Sequence, residues 1–413
     1  MEKLDPVKQT RIVSLILFSS TLIVVLTSLT TAIFPALVLR TLGGMEDNLG
    51  VDPFETGAWA YPILISNFIV FALLILYFKN YLPSIIRKSI RFIFNFEISL
   101  QVSCITIVVL IGIYILFSVD ELFNGKFETD YYGIFKSWLE TFVVTEIPIN
   151  QFNRDVGHHL QIFLEVTSLQ AFGNYKVIPF IASIALPILT YFVTTEFTKK
   201  RFAGIVAMVI VLQSDIFLFH DTSVSYPNFW ILFFLLSIYL VYKKWPLSPI
   251  SYVAAIFSKG LTAIFLPFTL FFIYRSIIPK QKKIYLTIIY LAIAIIGVGF
   301  LVITGATLNP VDEKKFNFHD FVSGFTYFST GFIHDGLILL FLLPLIVGLF
   351  VASKKDVMHA DSVLFFIFVM LLSAPFLSGF TENQNVPYRF MPLVVFFAIG
   401  VGILLAKRPN ERF

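Results

Sequence analysis

The sequence predicts an all-α membrane protein that crosses the bilayer about twelve times, and three observations lead to this prediction. Of the 413 residues, 57% are hydrophobic and only 14% are charged, whereas roughly a quarter of a soluble domain is charged. Apolar runs of roughly 20 residues, the length that spans a bilayer, recur along the chain. Basic clusters and acidic segments alternate between these runs, as expected for loops on opposite sides of a membrane.

The N-terminal part, residues 1–97, predicts two transmembrane helices followed by a basic linker. The helices are expected at about 12–39 and 59–78. Segment 79–97 mixes basic and apolar residues, which predicts that it lies along the inner membrane interface. The positive-inside rule places it and the N-terminus in the cytoplasm. The basic residues that flank the two helices are Lys3, Lys8, Arg11, Lys79, Arg87, Lys88 and Arg91.

Residues 98–413 predict the remaining crossings. Apolar run 250–274 fits either one long helix or two short ones broken at Ser258-Lys259-Gly260. A single crossing would leave Arg275 and every later basic cluster outside, so we expect a hairpin that brings Lys259 toward the outer side. Both termini are then cytoplasmic. The other expected helices cover about 98–118, 177–196, 203–219, 226–242, 284–304, 335–352, 360–378 and 390–406.

The polar segment between the third and fourth predicted helices, residues 119–160, is expected on the outer side. Asp130 begins DYYGIFKSWLETF, whose aromatic and polar residues separate onto two sides of a helix. This pattern predicts an interfacial helix with Asp130 at its N-terminus. A carboxylate in that position is either a helix cap or a general base at the water–lipid boundary.

Further polar residues on the expected outer side have open roles. Asp120 and Glu121 follow the third helix and are either interfacial charges or reacting groups, and Asp221 is either a second carboxylate or a loop cap. His158-His159 lacks a ligand at helical spacing, so no metal site is expected there. The single cysteine, Cys104, excludes an intramolecular disulfide.

Lys259 and Arg389 are cations in apolar surroundings. Lys259 lies between AAIFS and GLTAIFLP, where a lysine must extend toward water or bind an anion. A phosphate suits an ammonium beside a helix break. Arg389, in VPYRFMP, has the same two interpretations. No basic block is dense enough to predict a nucleic-acid partner.

Several short segments occur in an order that resembles a known family. They are Asp130-Tyr131-Tyr132, His158-His159-Leu160, the run AFGNYKVIPFIASIALPILTYFVTTEFTKKRFAGIVAMV, Lys259-Gly260 and Tyr388-Arg389-Phe390-Met391-Pro392. Over about 98–406 the chain thereby resembles the membrane-embedded glycosyltransferases of the GT-C superfamily, in particular the protein-mannosyltransferase and aminoarabinose-transferase type.

The resemblance implies transfer of a sugar from a polyprenyl-phosphate donor to an acceptor hydroxyl of a protein, glycan or lipid on the extracytoplasmic face, with inversion. It implies that Asp130 is the base, with Asp120, Glu121 and Asp155 as alternatives. Lys259 and Arg389 would hold the leaving phosphate. Residues His158, His159, Asp155 and Asp221 would line the same outer face. No cofactor is implied, although a divalent metal is not excluded.

Two other classes of function stay open on the sequence. One is a transporter or lipid flippase, in which the break at Lys259 would form a gate or substrate site. The other is a non-catalytic relative of the glycosyltransferases.

Overall fold

The computed structural model describes residues 6–37, 52–123, 156–304, 315–381 and 387–406, and these residues form helices joined by turns. The first helices are α1 (Pro6–Ile33), α2 (Ala60–Phe78), α3 (Ser84–Asn95), α4 (Leu100–Ser118), α5 (His159–Phe172) and α6 (Val177–Thr198). They are followed by α7 (Arg201–Leu212), α8 (Asp215–His220), α9 (Phe229–Lys243), α10 (Ser248–Ser258), α11 (Leu266–Arg275) and α12 (Lys280–Thr304). The last are α13 (Phe318–Ser323), α14 (Thr326–Gly331), α15 (Gly336–Lys354), α16 (Ala360–Phe380) and α17 (Met391–Leu404).

Eight helical segments of the described chain are long and apolar enough to cross a bilayer. This confirms a multi-pass, all-helical membrane protein. The other four predicted crossings coincide with shorter helices, of which α9 has 15 residues and extends only ~22 Å against a hydrocarbon core of about 30 Å. The number twelve therefore stays a prediction. The eight segments are Ile12–Ile33, Ala60–Phe78, Leu100–Leu122, Val177–Thr198, Lys280–Thr304, Gly336–Lys354, Ala360–Phe380 and Pro387–Leu404.

The chain divides into two compact units. Unit 1 consists of residues 1–99, 194–207 and 311–413, and unit 2 consists of residues 100–193 and 208–310. The sequence instead suggested a division into 1–97 and 98–413, which stays a prediction about family relationship.

Unit 1 is held together by small hydroxyl and amide side chains between apolar helices. The α1 hydroxyls bond across to α15, α16 and the turn before α14, and the amide of Asn67 on α2 donates to a backbone carbonyl of α15. Such bonds substitute for water, which is absent from the hydrocarbon. The pairs are Ser14 Oγ with Ser353 Oγ (2.9 Å), Thr21 with the Leu364 carbonyl (3.3 Å), Thr31 with the Phe325 carbonyl (3.3 Å) and Asn67 with the Leu340 carbonyl (3.3 Å).

Unit 2 contains the helix break predicted at Lys259, which ends α10 with an extended backbone (φ −159°, ψ 111°). A 3₁₀ turn, Gly260–Phe265, then leads into α11. Contacts along α9 show that α10 runs antiparallel to α9 and that α11 runs parallel to it, so the two short helices form a hairpin. The contacts are Ser248 with Ser237, Ser251 with Phe233, Phe265 with Phe234 and Phe272 with Tyr242.

Three local details differ from the sequence prediction or extend it. The fifth predicted helix is interrupted after Leu212, because Ser214 caps α8 by accepting a hydrogen bond from the Phe217 N–H. The segment between the helices predicted at 284–304 and 335–352 contains α13 and α14, and Asn317 caps α13. Segment 79–97 contains α3, whose residues are all at least partly exposed. The predicted interfacial helix at Asp130 lies outside the described residues.

A first prediction concerns the close approach of Gly324 to α16 in unit 1. A Cβ at this position would lie 2.5 Å from Pro375 Cα and 2.9 Å from Pro375 N, and backbone atoms of a helix cannot yield. We expect Gly324→Ala to destabilise the protein by about 1–3 kcal/mol, measured as a lower melting temperature in detergent. Gly297→Ala is the control, because no atom lies within 4 Å of its Cβ. Equal melting temperatures of the two variants would contradict the packing.

Candidate functional site

The residues singled out in the sequence fall into three groups. Asp130 and Asp155 lie outside the described residues, so their roles stay predictions. Arg389 belongs to unit 1, in the 3₁₀ turn Pro387–Phe390, and is 9% exposed. Its predicted place beside a phosphate is likewise untested. The others lie in unit 2 and are Asp120, Glu121, His158, His159, Asp221 and Lys259.

Two carboxylates lie together where α4 and α8 end. Glu121 lies in a 3₁₀ turn, Val119–Leu122, that continues α4, and Asp221 directly follows α8. Thr222 Oγ1 donates a hydrogen bond of 2.9 Å to Glu121 Oε2. This bond holds the segment after α8 against the 3₁₀ turn that continues α4. The negative charge of Glu121 acts on Asp221. Asp120, by contrast, is exposed.

Asp221 is buried without a hydrogen-bond partner among the described residues. Its side chain is 1% exposed, and neither carboxylate oxygen accepts a hydrogen bond there. The hydroxyls of Tyr114 and Ser118 on α4 face it without completing a bond of ordinary geometry. Such a group is costly to bury in its charged form.

Burial therefore raises the pKa of Asp221 to about 7, and the charge of Glu121 adds to this effect. The hydroxyls of Tyr114 and Ser118 and the N–H of Thr222 lie near enough to favour the ionised form, so they partly oppose the rise in pKa although none of them meets hydrogen-bond geometry. Burial also lowers the pKa of the neighbouring His220 to about 4, so this imidazole is neutral at physiological pH. Asp221 thus exchanges its proton near neutrality, as a general base must.

The segment between α5 and α6 anchors the end of α4. Gly173 ends α5 in the left-handed conformation (φ 67°), which reverses the chain. Asn174 Nδ2 then donates to the Leu122 carbonyl (2.9 Å), and Lys176 Nζ donates to the Glu121 carbonyl (3.3 Å). Lys176 is 3% exposed and is thus buried against the backbone at the end of α4.

Helix α5 connects the carboxylate pair with the helix break. Gln161 Nε2, in its first turn, donates to the Val224 carbonyl (3.0 Å), three residues after Asp221. The same amide donates to Oε1 of Glu165 (3.1 Å), which is fully buried. The first turn of α5 is therefore tied to the segment that follows Asp221, and the residues after α5 are tied to the end of α4.

Lys259 lies beside the N-terminus of α5. Its Nζ is 3.2 Å from Nε2 of His158, the residue that precedes α5. An ammonium group can only donate, so Nε2 accepts and the imidazole proton is on Nδ1. Lys259 is 8% exposed, and the half-buried His159 begins the helix. The cation is thus held beside His158, about one helical turn before Gln161, whose amide donates to the Val224 carbonyl.

No protein-family model, curated protein or solved structure matches this chain.

Any functional assignment must therefore come from the site. In the part of the chain that the structure describes, no three His, Cys, Asp or Glu residues group as metal ligands would. What unit 2 does bring together is a buried carboxyl, a second carboxylate and a buried lysine with its histidine partner. This combination can accept a proton and bind an anion.

Three residues of the site were missed in the sequence: Lys176, Gln161 and Glu165. Gln161 and Glu165 lie four residues apart, a spacing that places them on one helix face, but the segment was expected to be part of a loop. Lys176 follows Gly-Asn-Tyr between two helices and resembles an ordinary interfacial lysine. Its burial depends on the carbonyl of Glu121, 55 residues away, which no local pattern reveals.

A second prediction uses the titration of Asp221. In the unfolded chain this carboxyl ionises near pH 4, whereas the folded chain keeps it protonated up to about pH 7. Between these values the folded state binds the additional proton, so stability falls as the pH rises through this range. Asp221→Asn removes the ionisable group and with it this loss of stability at higher pH. We expect the variant to melt above the wild type at pH 8 and the difference to shrink toward pH 4, measured by thermal unfolding in detergent.

The matched control is Asp215→Asn, an exposed aspartate at the other end of α8. Its melting temperature should follow that of the wild type at every pH. A stabilisation by Asp221→Asn that is the same at all pH values would contradict the raised pKa.

Proposed function

We propose that the chain is a membrane glycosyltransferase that takes a sugar from a polyprenyl-phosphate donor and transfers it to an acceptor hydroxyl. The observation that carries the proposal is Asp221, a carboxyl 1% exposed whose oxygens have no hydrogen-bond partner among the described residues. A buried acceptor of this kind is suited to bind a donor group of a substrate. The acceptor hydroxyl supplies such a group.

In the proposed reaction, Asp221 is the general base. The acceptor oxygen attacks the anomeric carbon while its proton passes to the Asp221 carboxylate. The bond between the anomeric carbon and the phosphate oxygen breaks, and the electron pair leaves with the polyprenyl phosphate. Attack opposite to the leaving group inverts the anomeric configuration. The negative charge of Glu121 raises the affinity of Asp221 for the proton.

Lys259 is proposed to hold the phosphate that leaves. Negative charge accumulates on this group in the transition state, and an ammonium in apolar surroundings stabilises it more strongly than one in water. His158 orients the ammonium by accepting one of its N–H groups. Arg389 is a second proposed phosphate ligand, by the resemblance described above.

Asp130 keeps the role of base that the resemblance implies, as the alternative to Asp221. The proposal places the reaction at the extracytoplasmic face of the cell membrane, because Arg275, Lys280, Lys282 and Lys283 mark the opposite end of unit 2 as cytoplasmic. Both termini are then cytoplasmic. The acceptor is a protein, glycan or lipid.

A proton-coupled transporter is the second candidate function. The observation that favours it is the same buried carboxyl, whose pKa of about 7 lets it take up and release a proton at physiological pH. Buried ionisable groups are typical of proton pathways in membrane proteins. A transporter would move a substrate without forming a glycosidic bond.

The third prediction is a transfer assay with the full chain in proteoliposomes and a polyprenyl-phosphate sugar. We expect Asp221→Asn to lower kcat by about 10²–10⁴-fold, the usual contribution of a general base. Lys259→Met should lower kcat/KM because the leaving phosphate loses its counter-charge. Asp215→Asn is the control and should retain the wild-type rate.

The outcomes separate the candidates. Full activity of Asp221→Asn together with loss of activity in Asp130→Asn would assign the base to Asp130. Absence of transfer by the wild type from any lipid-linked sugar, combined with substrate uptake driven by a pH gradient, would replace the enzyme with the transporter.

A further inference from the structure

A groove at the other end of unit 2 combines apolar walls with lysines. It has a volume of about 470 Å³, within the usual range for small-molecule sites. It lies where the turn after α11 leads into α12. The 3₁₀ turn Gly260–Phe265 and α11 together extend roughly 25 Å, so the groove is separate from Lys259. Its lining residues include Tyr274, Ile278, Lys280, Lys283, Ile284 and Ile288.

The polar part of the groove is positively charged. Lys280 and Lys283 line it, and Arg275 lies close enough for its charge to repel that of Lys283. Lys283 Nζ donates a 2.8 Å hydrogen bond to the Tyr274 carbonyl, which holds the ammonium at the groove wall. None of the lining residues is acidic. An anion bound here would relieve the repulsion between the cations.

The apolar part of the groove continues into the surface of α12. Ile284 is 47% exposed, Ile288 58% and Ile295 72%, and their spacing of four and seven residues places them on one face of the helix. An exposed apolar face on a membrane-spanning helix contacts acyl chains. A ligand of this groove therefore has an anionic head and a hydrocarbon chain.

We propose that the groove binds an acidic phospholipid of the surrounding bilayer, with its phosphate between Lys280 and Lys283 and an acyl chain along Ile284 and Ile288. The apolar wall favours a lipid over free phosphate, which would leave most of the groove unfilled. The bound lipid would join α11 to α12 at the cytoplasmic end of unit 2. This site is independent of the proposed glycosyl transfer.

The test measures binding of phosphatidylglycerol to the detergent-purified full chain by native mass spectrometry. Phosphatidylcholine is the uncharged-lipid comparison, and glycerol 3-phosphate is the comparison without acyl chains. We expect preferential retention of phosphatidylglycerol. A lysine at a membrane surface contributes roughly a fivefold gain in affinity for acidic lipid, so Lys280→Gln should weaken binding about fivefold and Lys280→Gln/Lys283→Gln about 30-fold.

Lys282→Gln is the matched control, because Lys282 is exposed in the same turn but does not line the groove. It should bind phosphatidylglycerol as the wild type does. If Lys282→Gln weakened phosphatidylglycerol binding as much as Lys280→Gln does, the lysines would act only through general surface charge. If glycerol 3-phosphate bound as tightly as phosphatidylglycerol, the groove would be a site for free phosphate. Either result overturns the proposal. Lys280→Gln alone keeps the test valid if the double variant folds poorly, since Lys280 is exposed.

Discussion

The need to satisfy polar groups in the absence of water governs the described structure. Apolar helices make up most of the part of the chain that the structure describes, so a hydroxyl or amide inside the bilayer must find its partner within the protein. The Ser103–Tyr191 hydroxyl pair (2.7 Å) joins α4 to α6, and the Ser248–Tyr290 pair (2.8 Å) joins α10 to α12. Such interhelical bonds add to the van der Waals packing that holds neighbouring helices together.

Asp221 stands out against this background. Its carboxyl is buried where α8 ends, yet its oxygens have no hydrogen-bond partner among the described residues. The surrounding bonds, Thr222 to Glu121 and Gln161 to Val224, hold the turn in place and keep the carboxyl buried. The cost of this arrangement is a stability that decreases when Asp221 ionises. A buried acceptor of this kind can bind a group that brings the missing donor, and the proposed function rests on this property.

Unit 2 has different chemistry at its two ends. One end combines Glu121, Asp221 and Lys259, so it can exchange a proton and hold an anion. The other combines Lys280, Lys283 and Arg275 beside an exposed isoleucine face, so it fits an acidic lipid of the bilayer. The separation follows from the hairpin, since α10 and α11 carry the chain from one end to the other and back. A single helix through 250–274 would have placed Lys259 in mid-helix and Arg275 at the opposite end.

The sequence by itself determined the membrane class, most helix positions and the break at Lys259, because apolar length and basic clusters act locally or through the simple asymmetry of the bilayer. It also picked out Glu121, Asp221, His158 and Lys259 as polar residues in unusual surroundings. Only the tertiary structure decided which of them meet. The contacts of Thr222 with Glu121, Lys176 with the Glu121 carbonyl and His158 with Lys259 join residues 55 to 101 positions apart. Helix packing sets such distances, and the raised pKa of Asp221 follows from burial by side chains that no local pattern specifies.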